Sequence, residues 1–266
     1  VQTVGIQGKE IIMLDDSMPL PEAKKVIDAE GLILAPGFID PHASTGFGYF
    51  FPEAANHKIY QGITTEIFGN CGTPPAPIGP HLIATMEKLS EDIGFPFNWR
   101  SLTEYFEEIK NKLQFNIATL VGHSTLRAGA MDDWKALKPD QLETMKSAMR
   151  VAMDEGALGF STGLIYAPGC FAEMDELVEL AKIAAEKGGI YASHIRDERN
   201  KIEEAVDEAL TISEKANIRT LISHLKAAEK QNWNKIPAIL EKIEKFNQKN
   251  PNITAAVDVY PYTCLL

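Results

Sequence analysis

From residue 37 onward, short runs that are apolar at almost every position alternate with longer stretches in which apolar residues recur every three or four. The short runs are GFIDPH (37–42), TTEIFGN (64–70), NIATLVGH (116–123), ALGFSTG (157–163), IYASHI (190–195), RTLISHL (219–225) and ITAAVDVYP (253–261). Near-continuous apolar runs of this length suit strands buried on both faces, which belong to parallel sheets covered by helices. Between them, SLTEYFEEIKNKL opens on Ser101 with Glu104 three residues later, the two halves of a capping box. KPDQLETMKSAMRVAMDEG ends at Gly156, a suitable residue for a left-handed helix terminus. CFAEMDELVELAKIAAEKGG closes on paired glycines, and NKIEEAVDEALTISEKAN repeats apolar residues at Ile202, Val206, Ala209 and Leu210.

Strands and helices alternating at this spacing imply parallel pairing through right-handed crossovers. Seven such units fit an α/β fold, a (β/α)₈ barrel with strand eight missing, better than an open dinucleotide-binding sheet. No GxGxxG follows the first strand, and there is no phosphate loop. Residues 1–34 read differently: TVGI, EIIML, KVID and LIL are short β-rich runs separated by turn residues, which predicts part of a small β domain. The expected division is therefore 1–34 and 35–266. The chain opens on Val1 and stops after AAVDVYPYTCLL, so the expectation is a piece of something longer.

Composition narrows the function classes. With 266 residues, 45% of them hydrophobic, the chain can bury one large core. A net charge of −11 argues against nucleic acid and anionic membrane surfaces as partners, since both select basic faces. No apolar run approaches the roughly 18 residues that a membrane span needs, and no signal-like segment opens the chain. Three widely separated cysteines do not make a disulfide framework. A reducing cytoplasm is the default expectation.

In a parallel barrel, chemistry gathers at the C-terminal ends of the strands. Those ends carry His42, Asn70 with Cys71, His123 with Ser124, Ser161 and Thr162 followed by Tyr166, His194 with Arg196, and His224 with Lys226; Asp258 and Tyr260 lie on the seventh strand. Four of the six histidines fall there, which random placement would rarely produce. A catalytic zinc needs three imidazole or thiolate ligands and one open position, and Cys71, His194 and His224 could supply such a set. Bound zinc would lower the pKa of a water in the open position and polarise a carbonyl. Each residue also has a plainer reading. A strand histidine is commonly a hydrogen-bonded core residue, Cys71 could be a small packed hydrophobe, Tyr166 could cover the barrel mouth, and Lys226 could be a solvated loop charge. Cys170 and Cys264 read as structural, and His57 and His81 as surface residues.

APGFIDPH (35–42), QGITTEIFGNCG (61–72), VGHSTLRAGAMDD (121–133), ALGFSTGLIYAPG (157–169), YASHIRDE (191–198), ISHLKAAEKQN (222–232) and DVYPYT (258–263) together resemble the N-acyl-D-amino-acid deacylases, or D-aminoacylases, of the amidohydrolase superfamily. The likeness runs over nearly the whole chain. It implies a distorted (β/α)₈ barrel attached to a small β domain, and zinc-dependent hydrolysis of N-acyl-D-amino acids, small-molecule substrates, to a carboxylate and a D-amino acid. It further implies a zinc site in which Cys71 does the ligating done elsewhere in the superfamily by a carbamylated lysine; ALGFSTG indeed contains no lysine. By motif position Cys71, His194 and His224 match the tightly held ligands, with His42 a further candidate at the edge. Tyr166 and Lys226 match residues around the substrate carbonyl and its pocket, and the general-base aspartate is expected beyond Leu266. One departure stands out: the family's first strand usually ends in His-x-His, serving a second, weaker metal position, whereas here Ser44 follows His42 and Ala43. Two rival readings remain: another amidohydrolase reaction on cyclic imides or ureides, and a catalytically inactive homologue that binds a ligand or partner.

Overall fold

The computed structural model describes residues 3–14, 22–51, 53 and 57–262, and the chain divides into two compact units, Val1–Gly37 and Phe38–Leu266. In the first, β1 (Val4–Gln7) and β2 (Glu10–Leu14) pair antiparallel across a tight turn that Gly8 makes at φ +63°. KVID and LIL do not form the strands predicted for them. Val26, Ile27, Leu32, Ile33 and Leu34 are exposed, and among the described residues no ladder includes them. A β-rich run becomes a strand only when a partner satisfies its backbone groups.

The second unit holds all seven predicted strands in one parallel sheet whose spatial order is the chain order. They are β3 (Phe38–Asp40), β4 (Ile63–Phe68), β5 (Asn116–Gly122), β6 (Gly159–Gly163), β7 (Ile190–His194), β8 (Arg219–Ile222) and β9 (Ala255–Val257). Gly163 pairs with His194 and Ser193 with Ile222, so the ends of β6, β7 and β8 lie level. The sheet also curls. His42, just after β3, lies 3.1 Å from Asp258, just after β9, which brings the two outer strands' ends together at the mouth of a partial barrel.

Among the described residues the helices are α1 (Ile83–Ile93), α2 (Leu102–Ile109), α3 (His123–Ala130), α4 (Pro139–Asp154), α5 (Met174–Glu186), α6 (Ile202–Ala216) and α7 (Ile236–Lys249). Ser101 and Glu104 form the predicted capping box at the start of α2. Gly156 adopts φ +100° just past α4. Ile202, Val206, Ala209 and Leu210 of α6 are buried in one cluster with Ile222 of β8 and Ile239 and Ile243 of α7. α1 and α7 lie where the pattern assigned no element. α3 is a correction: β5 ends at Gly122, and His123 and Ser124 open a helix rather than ending a strand. A larger core joins the strands to α2–α5, with Trp99, Tyr105, Phe68 and Phe160 fully buried. Among the described residues no helix is long and apolar enough to cross a membrane.

Candidate metal centre

Four side chains from four strand ends converge at the mouth. Around the Cys71 sulfur stand three imidazole nitrogens: His42 Nε2 at 3.6 Å, His194 Nδ1 at 3.6 Å and His224 Nε2 at 3.7 Å. The local backbone is shaped for this. Cys71 follows β4 in a short 3₁₀ turn at φ +55°, and His224 follows β8 at φ +38°, conformations that non-glycine residues rarely adopt. Such backbone persists only where the surroundings over-determine it. For Cys71 the surroundings are Ser161, whose hydroxyl donates to Gly69 O and accepts from Gly72 N. Gly69 leaves no room for a side chain, because a Cβ there would lie 2.5 Å from Leu120 O. For His224 the support is Asp258, whose Oδ1 accepts the His224 amide while its Oδ2 faces His42 Nδ1.

Electrostatics follow from this packing. Burial alone would raise the Cys71 thiol, but hydrogen bonds from His194, His224 and His42 outweigh it and bring the pKa down to about 5. Burial opposes the protonation of His42, yet Asp258 and Cys71 raise its pKa to about 9. Burial would also raise Glu198, but His224, Lys226 and His194 hold it down to about 2. Cys71 is thus a thiolate at neutral pH, the form that binds metal.

A tetrahedral zinc centre has bonds of about 2.3 Å to sulfur and about 2.0–2.1 Å to nitrogen, which sets sulfur and nitrogen about 3.6 Å apart. The three sulfur–nitrogen separations match that figure, and His42 and His224 are also close enough to each other to share an ion with Cys71. The fit to zinc therefore rests on Cys71, His42 and His224, with His194 meeting the sulfur from outside that group. His42, Cys71 and His224 form one group close enough to hold a metal; His194, Glu198 and His224 form a second. In the second group the Lys226 ammonium already stands 2.6 Å from Glu198 and 3.2 Å from His224 Nδ1.

Tyr166 lies beside this cluster, its ring edge-on to His194 at 4.7 Å and half exposed. Burial, then the Cys71 and Glu198 charges, raise its pKa, so the phenol stays a donor. Lys226 also lies 5.4 Å over the Tyr260 ring. Arg196 is bidentate to Glu208 and donates to Cys170 O and Ala172 O, which ties down the loop carrying Tyr166. Thr162 bonds Ser193 and Tyr191 between strands. His123 is not brought to the cluster: it is buried and bound to Glu176 on α5. His57 is exposed, and His81 pairs with Asp132. Cys170 is an exposed free thiol rather than a packed one, and Cys264 lies outside the described residues. The residue not singled out from sequence is Glu198; its place four residues after His194 was the available signal.

A parallel αβ half-barrel with a thiol and three imidazoles gathered at its mouth defines the class of fold, a partial (β/α) barrel with a candidate metal centre at the strand ends. A sequence profile of the Amidohydrolase family matches residues 25–251, and the chain belongs to that family. It is 37% identical over 264 residues to the N-acyl-D-glutamate deacylase of Alcaligenes xylosoxydans xylosoxydans, covering 97% of this chain and 52% of that one. It is 32% identical over 262 residues to the D-aminoacylase of the same organism, covering 97% and 53%. The crystal structure of N-acyl-D-glutamate deacylase from Bordetella bronchiseptica, complexed with zinc and a phosphonate mimic of the tetrahedral intermediate, superposes with a TM-score of 0.86 at 34% identity, covering 98% of this chain and 54% of that one. The chain thus spans about half the length of the curated relatives it matches.

Proposed function

We propose that the protein is a zinc-dependent hydrolase of N-acyl-D-amino acids, giving a carboxylate and a free D-amino acid. The observation that carries this reading is the set of three imidazole nitrogens 3.6–3.7 Å from the Cys71 sulfur. Deacylases of this substrate class are the relatives that share the chain's sequence from end to end. By motif position Cys71, His194 and His224 would hold the zinc with His42 at its edge, although His42 stands as near the sulfur as His194 does and is the histidine grouped with Cys71 and His224. Zinc held there supplies Lewis acidity toward an amide carbonyl and lowers the pKa of a water in an open position.

The chain's own residues supply the rest. Tyr166, kept protonated beside a thiolate, donates its hydroxyl proton in a hydrogen bond to the acyl oxygen, where charge develops. Lys226, fixed by Glu198, presents a cation at the edge of the same pocket and orients the substrate. The two carboxylates nearest the cluster, Asp258 and Glu198, are committed to histidine and lysine partners, so the reaction's proton transfers are not assigned to them.

The test is turnover by the full-length protein on N-acetylated D- and L-amino acids beside cyclic imides and ureides. Zinc-dependent release of D-amino acids alone supports the reading. Hydrolysis confined to the cyclic amides overturns it in favour of another amidohydrolase reaction. A zinc-loaded protein that binds these compounds and turns none over is a binding protein.

A further inference from the structure

Glu198 is buried in the loop after β7, and its backbone carbonyl accepts from Ala228 N at 2.7 Å, joining that loop to the one after β8. One of its carboxylate oxygens, Oε1, lies 3.0 Å from His224 Nδ1, 2.6 Å from Lys226 Nζ and 3.6 Å from His194 Nε2. These are the ring nitrogens that face away from Cys71. His194 approaches the sulfur through Nδ1 and His224 through Nε2, so the two rings are mounted in opposite senses and their far ends meet at the same oxygen. Among the described residues His194 Nε2 is buried without a hydrogen-bond partner, and Glu198 faces it at 3.6 Å. Lys226 completes the arrangement by neutralising the carboxylate and closing that side of the rings to a second ion.

We infer that Glu198 is a positioning residue: one carboxylate oxygen sets the orientation of His224 and of Lys226, so one metal-facing nitrogen and the substrate-facing ammonium are fixed by a single anchor. The His194 ring faces the same oxygen at ion-pair distance. A ligand imidazole's far N–H needs such a partner to hold its ring direction and raise its basicity, and loss of the partner typically costs about 10–100-fold in metal affinity. Sharing one oxygen ties the His224 ring to the Lys226 ammonium, so removing Glu198 disturbs both at once. The inference rests on the zinc reading for its functional consequence, but not for its geometry.

The experiment uses the full-length protein with Glu198→Ala and Glu198→Gln. Two measurements are made: the rate at which zinc passes to a chelator, and the crystal structure of each metal-free form. In Glu198→Ala, zinc transfer should be faster by about 10–100-fold, and the sulfur–nitrogen distance to His224 should spread. Glu198→Gln keeps a carbonyl oxygen in place, so it should hold the ring near its wild-type position and release zinc at an intermediate rate. An unmoved His224 ring with wild-type zinc transfer in Glu198→Ala overturns the inference and leaves the zinc reading intact. A His224 ring that moves away in Glu198→Ala, in a protein whose wild type takes up no zinc, upholds the positioning role and sinks the metal reading. Should Glu198→Ala fail to fold, Glu198→Gln decides alone: faster zinc transfer supports the inference, and transfer at the wild-type rate overturns it.

Discussion

Glu176 and Glu198 are both buried, and each sits beside a histidine and a basic side chain. Around Glu176, on α5, stand His123 Nε2 at 2.8 Å and the Arg127 guanidinium, whose Nε and Nη2 also donate to Trp134 O. Around Glu198 stand His224, His194 and Lys226. The residue types are nearly the same, and the chemistry differs because of what lies across the imidazole. The His123 ring stands edge-on to Phe160, and its Nδ1 is buried with no partner among the described residues. His194 and His224 each have a carboxylate on one side and the Cys71 thiolate on the other. A histidine held at one end only ties helices together; a pair held from behind and aimed at a common sulfur can hold an ion.

The largest expected effect breaks the second cluster. Cys71→Ala removes the atom on which three nitrogens converge, so zinc content should fall from about one per chain to background. Hydrolysis should fall with it by about 10³-fold or more, the loss of several kcal/mol of Lewis-acid stabilisation. Elemental analysis and turnover of the full-length variant measure both. His194→Ala and His224→Ala should behave alike. Arg127→Met should do the reverse: zinc stays, while stability drops by about 3–5 kcal/mol because Glu176 is left buried with one partner. Denaturant unfolding reads that loss.

An acid limb sharpens the contrast. Burial would raise the Glu176 pKa, but His123 and then Arg127 hold it below the ordinary 4.5. Because the folded value is the depressed one, the stability it contributes is full above 4.5 and fades as pH falls through the folded value. Arg127→Met should flatten that limb of the unfolding curve.

The same contrast shows how far the sequence can be read. The seven strands were legible because a strand covered on both faces must be apolar almost throughout. That Cys71, His194 and His224 meet was legible because parallel strands deliver their last residues to one mouth. That rule also collected His123, which shares the position in the pattern but enters a helix, and no local residue type distinguishes the two cases. Glu198 was hidden for the opposite reason: its position depends on how two loops pack, which no periodicity encodes. KVID and LIL failed because β propensity says nothing about whether a partner strand is within reach.

A smaller effect is expected at Tyr166. Its ring packs on His194 whatever the hydroxyl does, so Tyr166→Phe should keep both fold and zinc. Removing one preformed donor to a developing oxyanion costs about 10²–10³-fold in kcat. A fall confined to KM, with kcat unchanged, would assign Tyr166 to substrate binding instead.

The smallest effect is expected at Ser44, where the strand-end pattern leads one to look for a second imidazole. Ser44 is exposed, two residues past His42, while the cluster draws its nitrogens from His42, His194 and His224. A neutral hydroxyl is a poor donor beside thiolate and imidazole. Ser44→Ala should therefore leave zinc content unchanged and turnover within about twofold, the range of an ordinary surface substitution of about 0.5 kcal/mol. His42→Ala should weaken zinc retention without abolishing it, because three groups remain around the same point. Ser44→His should restore the paired imidazoles at the first strand end and admit a second, more weakly held ion, read as zinc uptake above one per chain at high metal concentration. If Ser44→Ala emptied the centre while Cys71→Ala left it filled, the convergence on the Cys71 sulfur would be a packing accident and the cluster around it no more a metal centre than the one around Glu176.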